Sequence, residues 1–310
     1  MKALTLWVPA GALLLLSAGC DFEDFGGVNT QKEAFEKSFP MQPGGRLTVE
    51  NFNGSIEVSA WDENSVRISG TKFAPTQQLL DAIRIDMTAS GDSLRVRTVR
   101  PTERRGNMGA TYVIRVPRKT GLERLESSNG SIRVEDVEGN ARLKTSNGSV
   151  RVTGLKGSVE AQTSNGSIEL LGHGGGAVLQ TSNGSVRADG VRGTFQATTS
   201  NGKIAARLIE SDPKRPIKVS SSNGSVDLTI EKLSGNDVYA HTSNSSITLR
   251  LPAKVGARIH ARTSNSTVQS DFDVAGGRVS KGRLEGEVGG GGPVIDLVSS
   301  NGPIRLARLP

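Results

Sequence analysis

The sequence predicts an all-β chain folded as a parallel β-solenoid, or β-helix, of about 18–22 residues per rung, preceded by an irregular β-strand N-terminal region that caps it. Three observations lead there. The turn signal Ser-Asn-Gly-Ser recurs at nearly fixed spacing, the mark of a repeat architecture. Apolar and polar residues alternate with period two, in register from copy to copy, as half-buried strands require. Aromatics make up only 4% of the chain against 38 glycines, so the core must be thin and built of Val, Ile, Leu and Ala.

The asparagines set the spacing. Asn129, Asn147, Asn165, Asn183 and Asn201 stand 18 residues apart; Asn223, Asn244 and Asn265 follow at intervals of 22, 21 and 21, and the motif returns at Asn301. The segment "KGRLEG" at 281–286 aligns as a degenerate copy with Lys281 in the Asn slot, which makes nine intervals from Asn129 to Asn301. Within one copy Val150 and Val152 form a first arm, Leu155 leads to a bend at Gly157, and Val159 and Ala161 form a second arm. Arms of about five residues cannot bury themselves alone, but identical rungs stacked at about 4.8 Å can. An 18-residue unit is too short for a propeller blade of about 40 residues.

The corner motif reads as a structural staple. Thr145 and Asn147 share the parity of Ala141 and Leu143, which predicts side chains pointing inward. Gly148 is expected to supply a positive φ, and Ser149 restarts the chain. Asn129, Asn147, Asn165, Asn183, Asn201 and Asn223 are then expected to form a buried ladder of amides bonded to one another and to corner backbone.

Upstream, "GRLTVENFNGSIEVSAW", "NSVRISG", "AIRIDMTASGDSLRVRTV" and "ATYVIRVP" alternate as strands, and "PTQQLLDA" offers one or two helical turns. Residues 21–40 lack alternation and read as a tether or short adaptable helix. The first residues, "MKALTLWVPAGALLLLSAGC", combine a positive start, an apolar run and small residues before the chain's only cysteine. That pattern is a secretory signal and resembles a lipobox, with Cys20 acylated and becoming the mature N-terminus. The organisation expected is therefore a lipoprotein signal peptide (1–19), an acylated N-terminus and tether (20–40), a β-rich capping region (41–126) and the repeat solenoid (127–310). An exported lipoprotein held at a cell-envelope membrane by its lipid follows, on the periplasmic or extracytoplasmic face.

Composition narrows the partners. Removing residues 1–19 takes Lys2 with it, so the formal charge falls from +7 to +6, spread among 31 acidic residues. That balance suits weak attraction to anionic lipid or polysaccharide and, on an exported chain, argues against nucleic acid. With one cysteine no disulfide closes within the chain.

Two stretches, "GRLTVENFNGSIEVSAW" and "YVIRVPRKTGLERLESSNGSIRVEDVEG", together with the repeated "SNGSI", resemble the DUF4097 family of candidate adhesins, β-strand repeat proteins of bacterial envelopes. The resemblance extends over most of residues 40–310. It implies a β-helical fold and an envelope role, and it brings no catalytic residues.

Catalytic motifs are weak. "GHGGG" at 172–176 is similar to an oxyanion-hole loop but has no G-x-S-x-G partner and falls at a bend. "SDPK" at 211–214 matches S-x-x-K without its companion motifs, and His173, His241 and His260 lack metal-ligand spacing. No cofactor or metal is expected. The reading is a non-catalytic, lipid-anchored envelope protein whose solenoid is an adhesin-like binding or scaffolding surface for an envelope glycan or another envelope protein. The alternative is a carbohydrate-active β-helix enzyme acting on envelope or extracellular polysaccharide. In linear register Tyr239 falls beside His260, and His241 beside Arg262, which makes these four the candidate ligand-binding residues.

Overall fold

A computed structural model of the chain describes residues 30–103, 106–213 and 215–309. Cys20 and the signal-like segment 1–19 lie outside the described residues. Among the described residues the strands form two sheets of 13 and 14 strands that face each other across a single apolar core.

Each rung contributes one strand to each sheet. The alternation seen in the sequence is the alternation of burial: in Ala141–Thr145 every second side chain is buried, and the same holds in Val159–Gln162. Val150, Val152, Leu155, Val159 and Ala161 are all at most 2% exposed. Burying a Val or Leu side chain contributes about 1.5–3 kcal/mol, so one rung gains its stability only when neighbours cover both of its edges. Pairing is parallel and in register with the repeat, Val150 lying opposite Ile132 on one side and Ile168 on the other.

Both ends of the stack depart from chain order. Near the N-terminus the strand Arg46–Asn51 lies between Ser93–Val99 and Gly121–Ser127, and Ile56–Trp61 lies between Gly109–Pro117 and Ile132–Glu135. At the other end Val294–Ser299 lies between Val238–Thr242 and Ala257–Thr263. Ile304–Arg308 likewise lies between Ile247–Leu251 and Val268–Ser270. The last rung of the chain is thus interleaved one place inward, so Ile247–Leu251 is not paired with Val268–Ser270, nor Val238–Thr242 with Ala257–Thr263. The capping region and the repeat share continuous sheets, so residues 126 and 127 mark no break in the stack.

Two sequence expectations are corrected. The segment "KGRLEG" is not a rung. Lys281 and Gly282 form the tight turn of an antiparallel hairpin in which Ser280 pairs with Arg283, and Arg283–Val288 then runs antiparallel to Ala257–Thr263. Residues 31–40 of the expected tether form a ten-residue strand, Gln31–Pro40, antiparallel to Ser65–Ala74. Its alternation was hidden because Glu33 and Lys37 share a hollow with Phe35 and Phe39. Phe35 meets the buried Tyr112 ring edge-on at 5.9 Å, and Glu33 pairs with Lys72 at 2.8 Å. Charges on the core side of an edge strand deter pairing with another molecule. The expected helical turn is Gln77–Ala82, started by Thr76, whose hydroxyl accepts from the Leu79 amide at 3.3 Å.

Candidate functional site

The repeated corner resolves into two polar columns. The inward one is made of hydroxyls. Thr145 is 2% exposed; its Oγ1 donates to the Gly130 carbonyl of the preceding rung at 2.8 Å and accepts from the Gly148 amide at 3.3 Å. Thr163, Thr181 and Thr199 repeat the bond to the preceding glycine at 2.9–3.0 Å. The outward column is made of asparagines, which corrects the inward assignment. Asn129, Asn147, Asn165, Asn183, Asn201 and Asn223 are exposed. The amide of Asn147 donates to Asn129 at 2.6 Å, and each later one donates to its predecessor at 2.7 Å through Asn165, Asn183, Asn201, Asn223 and Asn244. The ladder then passes to Asn301 and from there to Asn265, following the interleaved order of the rungs. Parity failed because the strand ends at Thr145 and the chain turns over the next three residues.

Gly148 does not have a positive φ. Its glycine is required by closeness: a Cβ there would lie 2.0 Å from the Gly130 carbonyl oxygen, and at Gly166 the corresponding distance to Gly148 is 1.9 Å.

The four candidate binding residues share the outer face of the 14-stranded sheet but do not touch in the expected pairs. The interleaved strand places Asp296 between Tyr239 and His260, and Val298 between His241 and Arg262. His241 Nε2 lies 3.2 Å from Asp296 Oδ2. The Tyr239 hydroxyl reaches Asp237 at 3.5 Å. Partial burial, then the carboxylates of Asp237 and Asp296, push the Tyr239 phenol above its ordinary range, which keeps it a neutral donor. His260 faces Glu285 on the antiparallel neighbour. The result is a row of phenol, carboxylate, imidazole and carboxylate across four strands, with His241, Val298 and Arg262 in the next row. Asp296 and Glu285 were missed because linear spacing says nothing about an interleaved rung or an antiparallel hairpin.

The family model described as Toastrack DUF4097 matches residues 47–307. The chain belongs to the Toastrack DUF4097 family. Solved structures similar to this DUF4097 chain include a candidate cell adhesion protein from Clostridium sporogenes, at 12% identity and a TM-score of 0.26, covering 89% of this chain and 100% of that one. A candidate adhesin from Bacteroides fragilis matches at 12% identity and a TM-score of 0.39, covering 89% and 97%. One from Parabacteroides distasonis matches at 11% and 0.34, covering 88% and 97%. No curated protein matches.

Two further groups of this DUF4097 chain bear on chemistry. His173, from the "GHGGG" turn, takes the core position held by Leu155 and Val191 in adjacent rungs, and it is 1% exposed. Its Nε2 lies 3.2 Å from the Gly176 carbonyl, its Nδ1 is buried without a partner, and burial pushes its pKa below the ordinary value. It is a core imidazole, held away from solvent. Glu285 is held below the usual carboxylate range by the hydrogen bond from Arg283 at 2.6 Å. A carboxylate so held is unsuited to protonating a glycosidic oxygen, which asks for a raised pKa.

Proposed function

We propose that this chain is a non-catalytic, lipid-anchored envelope protein whose stacked sheets present a binding surface, adhesin-like in role, with acylation at Cys20. The observation that carries the reading is the outward row on the 14-stranded sheet, where half-buried Tyr239 and Asp296 and exposed His260 stand side by side with exposed His241 and Arg262. A flat face offering an aromatic ring, imidazoles and a guanidinium stacks on sugar rings and hydrogen-bonds their hydroxyls. An envelope glycan is therefore the ligand class. The double variant Tyr239→Ala, His241→Ala is expected to lose binding to isolated envelope glycans while keeping its thermal midpoint; unchanged binding removes the patch. For the anchor, metabolic labelling with a fatty-acid analogue is expected to mark the wild type and not Cys20→Ser. Equal labelling of both refutes acylation at that residue.

A further inference from the structure

A second feature of the same sheet lies at its opposite end. A groove of about 1220 Å³ runs along the outer face from Thr88 and Ser90 to Val178 and Thr194, parallel to the stacking axis. It crosses eight successive strands or their entrances, so at about 4.8 Å per strand its length is on the order of 30 Å.

The floor of the groove is built by a bulge. In the regular arms outward and buried residues alternate, but Glu123 and Arg124 are consecutive and both exposed. The register slips beside them on both neighbours, between Leu47 and Thr48 on one side and between Ala141 and Leu143 on the other. A bulge re-aims side chains, and here it sends Arg124 toward the two arginines of Ser93–Val99. Arg95, Arg97 and Arg124 all approach one carboxylate, Glu50, at 2.9, 3.8 and 3.8 Å, and Arg124 also donates from Nε to Glu126 at 2.6 Å. Those three guanidiniums are 59%, 63% and 52% exposed, whereas Glu50 is only 21% exposed. A guanidinium carries five N–H donors and a carboxylate about four acceptor sites, so the donors of the three arginines outnumber what Glu50 and Glu126 accept. Arg46 pairs with Glu123 and Arg142 with Glu160 along the same floor. Ser93, Asn140 and Ser158 line the groove with hydroxyl and amide groups.

We infer that this groove binds an extended acidic polysaccharide, one whose sugar carboxylates accept from Arg95 and Arg124, the two arginines of the cluster that line it, while Arg97 and Glu50 line the adjoining hollow. The inference rests on the reading of the outer sheet faces as binding surfaces and adds a site and a ligand class to it. A polymer fits the shape: the groove is long, concave and open, and its neutral groups suit sugar hydroxyls. A lipid surface is flat and meets convex or planar patches.

Titration calorimetry with soluble polygalacturonate tests it, with neutral dextran and phosphatidylglycerol vesicles as comparison probes. Wild type is expected to bind polygalacturonate and not dextran, with affinity falling as salt rises. Arg95→Gln with Arg124→Gln is expected to weaken binding by about tenfold or more, and Arg142→Gln, farther from the core bulge, to weaken it with an unchanged thermal midpoint. Glu50→Gln removes one of the two resident carboxylates that compete for these arginines and is expected to tighten binding, a gain that a purely structural ion cluster does not give. Equal affinity for dextran, binding untouched in the arginine variants, or capture of the vesicles in preference to the polymer each overturns the assignment. If the chain holds isolated envelope glycans but not polygalacturonate, the groove fails alone; if it holds neither, the broader reading fails with it.

Discussion

The hydroxyl of Thr163 bridges two rungs: it donates to the Gly148 carbonyl at 2.9 Å and accepts from its own corner amide, Gly166, at 3.3 Å. It is 3% exposed, while Asn165, two residues on, is exposed. The buried column, not the visible ladder of amides, is therefore where loss of a polar group leaves partners stranded.

Thr163→Val keeps the shape and removes the hydroxyl, leaving a buried carbonyl and amide unpaired at a cost of about 1–3 kcal/mol. Asn165→Ala breaks two exposed bonds that water replaces, and is expected to cost about 0.5–1 kcal/mol. Urea unfolding of the two variants separates them; a larger loss in Asn165→Ala contradicts the assignment of the columns.

Gly166→Ala puts a Cβ 1.9 Å from the Gly148 carbonyl oxygen, which only a shift of the stacked backbones relieves. The expected loss is about 3 kcal/mol. Gly174, at the other corner, has nothing within 4 Å of such a Cβ and no positive φ, so Gly174→Ala is expected to be nearly neutral. Thermal melts of both variants check the contrast.

His173 gives the fold an acid sensitivity. Burial lowers its folded pKa below the unfolded value of about 6.5. The unfolded chain therefore binds the extra proton first, and the stabilising contribution of the neutral ring is present above about pH 6.5 and lost as pH falls through the folded value. His173→Val, matching the Val191 column, is expected to reduce the fall in stability between pH 7 and pH 5. An unchanged pH slope in that variant means the ring is already protonated in the fold or titrates alike in both states.

Leu297 sits in the interleaved rung at 0% exposure, with Ile295, Ile304 and Leu306 equally buried. Leu297→Ala is expected to cost about 2–5 kcal/mol. Deleting residues 294–310 opens a slot between two rungs and strands the edges of both, so that chain is expected to fail to fold cooperatively in circular dichroism melts. A two-state melt near the wild-type midpoint argues that the last rung is peripheral.

The rungs were legible in the sequence because one period-two pattern fixes both strand and burial. Val150, Val152, Val159 and Ala161 needed only that rule, and Thr145 followed it to the end of its arm. Parity then expired at the corner, where Asn147 turns outward, and the need for Gly148 proved to be one of space, which depends on the neighbouring rung. The order of the rungs was not legible, because Asn301 carries the same motif as Asn244 and nothing local tells a strand which neighbour it will join. That single ambiguity misplaced Tyr239 against His260. The charged hollow of Glu33 and Lys37 hid an edge strand for a related reason: its inward positions are half polar, so the alternation has no hydrophobic signal.

Disulfide trapping tests the interleaved rung most directly. In a Cys20→Ser background, which leaves no other thiol in the chain, Tyr239→Cys is combined either with Asp296→Cys or with His260→Cys. Adjacent strands lie about 4.8 Å apart, within the Cα separation a disulfide spans, whereas strands two places apart exceed the limit of about 7 Å. The account expects rapid cross-linking of the 239–296 pair and none of the 239–260 pair under mild oxidation. Cross-linking of 239 to 260, with 296 left free, would contradict it and return the rungs to chain order.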